Sequence, residues 1–106
     1  MTLLKNFRTY GLAVEFYKEC TKLKLPHHLR DQLLRATSSV ALNLSEGSAK
    51  PTRKDRLRFY AIAFGSLREA QTVLDLCSAH ELQAGAALIS KADHLAACLY
   101  KLTHQP

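Results

Sequence analysis

The chain has 106 residues, 47% of them hydrophobic: enough for one domain around one core, and too few for a catalytic domain plus a cofactor domain. Fifteen Lys and Arg against nine Asp and Glu give a net charge of +6, a balance that favours a polyanionic partner such as RNA, DNA or an anionic membrane. Cys20, Cys77 and Cys98 are odd in number, far apart and without a C-x-x-C, which argues against a disulfide framework or a zinc site and predicts buried thiols in a reducing compartment.

The opening "MTLLKNFR" carries Lys5 and Arg8 and has no apolar stretch of the signal-peptide kind. The longest apolar runs, "AGAALI" and "LAACLY", fall far below the ~20 residues of a membrane span. The expectation is a cytoplasmic protein that does not enter a membrane.

Four segments carry a helical period and none alternates as a strand. In the first, over about residues 6–23, Phe7, Tyr10, Ala13, Val14, Tyr17 and Cys20 recur at three- and four-residue steps. Pro26 reads as the first residue of a second helix, over 26–47, where its missing N–H is not needed. Leu29, Leu33, Ala36, Val40 and Leu44 form its stripe, and Gly47 reads as a left-handed cap at its end.

Thr52 is placed to cap a third helix, over 53–78, with Asp55 three residues on. Its stripe is Leu57, Tyr60, Phe64, Leu67 and Leu74. Phe59, Ala63, Ala70, Val73 and Cys77 widen the apolar arc past half the circumference, which predicts burial on two sides and hence a closed homo-oligomer. The pattern lapses around His80. A fourth helix, over 82–103, follows on Leu82, Ile89, Ala92, Leu95, Ala96, Leu99 and Leu102. Short connections make an all-α, antiparallel up-down-up-down four-helix bundle, a single domain over residues 1–106.

No catalytic or cofactor motif is present: there is no Walker A loop, no G-x-G-x-x-G and no H-E-x-x-H. His27 and His28 point about 100° apart on a helix, and His80, His94 and His104 stand near turns or acids, so no metal site is expected. On the second helix Gln32, Arg35, Ser39, Asn43 and Glu46 fall on one line. A hydrolase could use Ser39 and Glu46, but no His or Lys is spaced to serve the serine as base. The better account is a helix–helix network with Gly65, Ser66 and Glu69 on the third helix, the Gly65-Ser66 pair admitting the neighbouring backbone.

The connection into the third helix breaks a local rule. Arg53 and Lys54 sit in a first turn, where cations oppose the macrodipole, and Arg56 and Arg58 follow. With Lys50 they make five basic residues within nine positions, against Asp55 alone. Free helix N–H groups beside several Lys and Arg side chains fit phosphate. Lys18, Lys22 and Lys24 form a second cluster, offset by Glu15 and Glu19. Phe59 and Tyr60 fall on apolar arcs, so contacts to RNA or DNA would be to phosphates rather than bases. The competing account is a solvated turn on an oligomer that serves as a structural or adaptor protein.

"LRDQLLRA", "SVALNLSEG" and "RFYAIAFGSLRE" give Gln32-Leu33-x-Arg35-Ala36, Ser39-x-x-x-Asn43-x-x-Glu46-Gly47 and Ala63-x-Gly65-Ser66-Leu67-x-Glu69. In this order they resemble the four-helix-bundle proteins encoded in intervening sequences of bacterial 23S rRNA genes, over about residues 7–102 and most densely over 25–70. Ala70-Gln71 after Glu69 is a local departure. The resemblance implies an antiparallel bundle, a homopentamer and a biochemical role that is not defined. A more distant relative, the accessory variability protein of diversity-generating retroelements, is a basic pentameric bundle that binds nucleic acid and a reverse transcriptase. The present pattern is of the rRNA-intervening type, so that partner is not carried over. Ser39, Asn43, Glu46 and Glu69 carry over as signature positions, not as catalytic groups.

Overall fold

The computed structural model describes residues 7–77 and 85–104. Four helices account for nearly all of them: α1 (Arg8–Thr21), α2 (His27–Ser48), α3 (Arg53–Leu76) and α4 (Gly85–Thr103). The expected positions 6, 78 and 82, with His80 and Glu81, lie outside the described residues.

Each boundary has a local cause. Pro26 is the N-cap of α2 rather than its first helical residue, at φ −52° and ψ 142°. Its carbonyl already accepts from Leu29 and Arg30 N–H (3.0 and 2.9 Å), so the fixed proline φ serves the cap as well as it would serve the first turn. Thr52 caps α3 as expected: it is extended, and its Oγ1 accepts from the Asp55 N–H at 3.2 Å.

Gly47 departs from expectation. No described glycine has positive φ, and α2 runs through Gly47 to Ser48, with Ala49 as a right-handed cap. The missing side chain answers a different need. A Cβ on Gly47 would stand 2.8 Å from Tyr60 Cε1 and 3.0 Å from Phe59 Cβ, so glycine is what lets α3 come this close.

The helices pack in a closed cycle, α1 on α2, α2 on α3, α3 on α4 and α4 on α1. Residues 49–52 reach at most ~14 Å, far less than the length of α2, so α2 and α3 must run antiparallel. Ser39 meets Ser66 while Gly47 meets Tyr60, as antiparallel register requires. On the other side of α3, Phe64 faces Tyr100 and Gln71 reaches Asp93, so α4 runs antiparallel too. The result is an all-α four-helix bundle.

Phe16, Cys20, Leu33, Val40, Leu44, Leu67, Leu95 and Leu99 are sealed in its axis. Each fully buried Leu or Phe is worth ~1.5–3 kcal/mol, so this layer carries most of the stability. Two stripes are rotated from their expected centres. On α1 the core line is Thr9, Ala13, Phe16 and Cys20, and Val14 and Tyr17 are only half-buried. On α4 it is Leu88, not Ile89, that points inward. In both helices apolar residues occupy more than one face, and the period alone does not choose between neighbouring stripes.

The wide arc of α3 is also partly explained within the chain. Ala63, Ala70 and Val73 are core residues between α2 and α4, so they do not need a second subunit to cover them. The large apolar side chains that stay in solvent are others: Leu76 on α3, Ile89 and Tyr100 on α4, and Leu42 on α2 (67% exposed) with Ile62 on α3 (44%). The antiparallel register brings Leu42 and Ile62 to the same level of the outer α2–α3 face.

Candidate nucleic-acid interface

The five cations of the α2–α3 connection differ in how far they are exposed. Arg56 folds back, and its Nη1 donates to the carbonyls of Lys50 and Pro51, both at 3.2 Å. It is the brace of the turn. Lys50 is only partly exposed; it pairs with Glu46 at 3.3 Å, and its ammonium lies 5.0 Å from the centre of the Phe59 ring. Arg58 covers the same ring from 4.6 Å with its guanidinium still in solvent. Arg53 and Lys54 are exposed in the first turn of α3. Three of the five cations, Arg53, Lys54 and Arg58, are therefore presented outward.

The two aromatics expected in the core separate. Tyr60 is buried, and burial raises its phenol pKa while the nearby Arg56 pulls the other way. Phe59 is half-buried with cations above it, which pins Lys50 and Arg58 by cation–π attraction.

Lys18, Lys22 and Lys24 do not extend this site. They lie where α1 turns into α2, and α2 is 22 residues long, so ~30 Å separates them from Arg53. Lys22 pairs with Glu19 at 3.3 Å, and Glu19 also faces Lys91 at 4.0 Å. Lys18 stands in the last turn of α1, where a cation favours the macrodipole. The end that carries Arg53 is extended by other residues instead. Phe7 packs on Tyr60 with ring centres 5.9 Å apart, which places Arg8 at this end; Lys101, in the last turn of α4, follows Tyr100. Reading the bundle's topology onto the sequence would have found both, because helix starts and ends alternate between its two ends.

The polar line of α2 contributes one direct bridge to α3: the Ser39 and Ser66 hydroxyls are 2.8 Å apart. Asn43 Nδ2 donates to Ser39 Oγ (3.0 Å) and to its carbonyl (2.9 Å). Gln32, Arg35, Glu46, Gly65 and Glu69 are exposed beside it. Gly65 does not admit a neighbour, because a Cβ there would meet nothing within 4 Å. The line is thus half seam and half outer surface, shared with Leu42 and Ile62. Among the described residues the Ser39 hydroxyl meets the Ser66 hydroxyl and the Asn43 amide, neither of which is a base.

Among the described residues, no group of three or more His, Cys, Asp and Glu is placed to hold a metal ion. None of their helices is long and apolar enough to cross a membrane.

Residues 5–105 match the family described as 23S rRNA-intervening sequence protein. The chain belongs to that family. A crystal structure of a protein of unknown function from the S23 ribosomal protein family of Bacteroides thetaiotaomicron is similar in fold, with a TM-score of 0.76 and 15% identity. The similarity covers 92% of this chain and 99% of that one. No curated protein matches.

Proposed function

We propose that this family member is a non-enzymatic homo-oligomer, a pentamer as the family resemblance implies, that binds RNA or DNA phosphates through the basic end of its bundle. One observation carries the proposal. Arg53 and Lys54 stand exposed at a helix start, against the macrodipole, on a turn that Arg56 braces from within. Charge placed where it costs stability, on a rigid frame, fits a bound anion. Arg58, Arg8 and Lys101 enlarge the same field. In an oligomer the end repeats, and weak contacts to one strand add through effective concentration.

The exposed Leu42 and Ile62 favour a second reading, an adaptor whose outer α2–α3 face meets another protein. Charge reversal separates the two. Arg53→Glu with Lys54→Glu should abolish binding of a labelled RNA, whereas Lys18→Glu with Lys22→Glu, at the far end, should weaken it little. Equal loss from both pairs would mean a diffuse charge effect and no site at this end.

A further inference from the structure

A shallow groove runs between α3 and α4, where α4 contributes the small side chains of Ala92, Ala96 and Ala97 between Asp93, Tyr100 and Lys101. Its half nearer the basic end measures about 420 Å³ and the half beyond about 280 Å³, with Arg68, Gln71 and Asp93 lining both. Arg68 Nη1 donates to Gln71 Oε1 at 2.9 Å, and Gln71 Nε2 donates to Asp93 Oδ1 at 3.2 Å. These two bonds fix the wall of the groove as one polar row.

At the mouth stands an aromatic pair. Tyr100 is 53% exposed, and its ring stacks on His104 with centres 3.9 Å apart and planes 16° from parallel. Phe64 supports it edge-on at 6.3 Å. His104 Nδ1 lies 2.9 Å from the Tyr100 carbonyl and 2.8 Å from the Thr103 hydroxyl, polar contacts that hold the imidazole in the stack. Lys101 lines the groove beside Tyr100, and the Arg68 guanidinium lies 4.9 Å from the Phe64 ring centre. Arg53, Leu57, Phe64 and Arg68 follow at steps of four, seven and four, so they share one face of α3. The groove therefore begins on the face where the basic turn presents Arg53.

A held pair of flat rings between cations suits a nucleobase whose own faces are free, with its phosphates passing Arg68 and Lys101. Bases inside a duplex have both faces covered by neighbours and offer no such surface. Building on the phosphate-binding role proposed above, we infer that single-stranded nucleic acid lies in the α3–α4 groove with a base stacked on the Tyr100–His104 pair.

The chain has no tryptophan, so Tyr100→Trp installs a lone, selectively excitable tryptophan at the platform. It would be titrated with an unstructured oligonucleotide, an abasic oligonucleotide of equal length and a duplex. Stacking predicts quenching by the unstructured strand alone, which should bind about ten-fold tighter than the abasic one. In the otherwise unaltered protein, Tyr100→Ala should erase that ten-fold difference and Tyr100→Phe should keep it. If the unstructured and abasic strands bind alike without quenching, while Arg53→Glu with Lys54→Glu still removes binding, the stacking site is overturned and phosphate binding survives. If none of the three ligands binds at low salt, both are overturned.

Discussion

At Gly47 a single methyl group decides how closely two helices approach. In a free helix, alanine would be better than glycine by ~1 kcal/mol. Here the added Cβ meets the Tyr60 ring and Phe59 Cβ, and the second of these cannot swing away without moving its backbone. Gly47→Ala should therefore destabilise the protein by ~1–3 kcal/mol in urea unfolding, and less in a Tyr60→Leu background. A neutral or stabilising result would return Gly47 to the role of a mere helix end. Cys20 supports a second prediction. Burial, with a smaller contribution from Glu19, pushes its thiol up to about 12 from an ordinary 9.0. The folded state thus holds this proton more tightly than the unfolded chain does. The corresponding stability is fully present below pH ~9 and is lost as the pH rises through ~12, by up to ~1.4 kcal/mol per pH unit. Cys20→Ala will be less stable at neutral pH because of its cavity, but its alkaline decline should be shallower than that of the unaltered protein.

Among the helices, α2 and α3 show what the sequence declares and what it withholds. The period of Leu33, Ala36, Val40 and Leu44 places the core line of α2 correctly, although Leu42 stands exposed on another face of the same helix. On α1 and α4 the apolar residues are spread more widely, and the choice of Phe16 over Tyr17, or Leu88 over Ile89, is made by neighbours the sequence does not name. Helix spacing offered Gly65, Ser66 and Glu69 together as partners of the α2 polar line, and only the Ser39–Ser66 contact forms among them, because the rotation of α3, which no local pattern fixes, leaves Gly65 and Glu69 exposed. The turn cations were legible as a cluster, but the retreat of Arg56 to the Lys50 and Pro51 carbonyls needed coordinates. The hydroxyl bridge sets the register of the seam rather than its bulk stability. Ser39→Ala should cost ~1 kcal/mol and Ser66→Ala no more, with the double variant losing less than the sum. Full additivity in a double-mutant cycle would show that the hydroxyls do not act together.

The whole bundle is polarised along its axis. One end gathers Arg8, Arg53, Lys54, Arg58 and Lys101, while at the other Glu19 meets Lys22 and Lys91. The flank between them exposes Leu42 and Ile62, and a self-interface there would compete with the adaptor reading for the same apolar patch. Leu42→Glu with Ile62→Glu should then yield monomers in sedimentation velocity without loss of helicity. Intact oligomers from that variant would move the contact elsewhere. Binding to RNA should weaken in the monomer as well, since the repeated ends no longer act on one strand. The most direct test of the central claim is fluorescence anisotropy of a labelled structured RNA, titrated with the purified protein from low to moderate salt. Phosphate binding predicts micromolar or tighter affinity at low salt and a log–log slope of about −2 or steeper. Absence of binding at the lowest salt, or affinity indifferent to salt, would contradict it and leave the basic end a solvated surface.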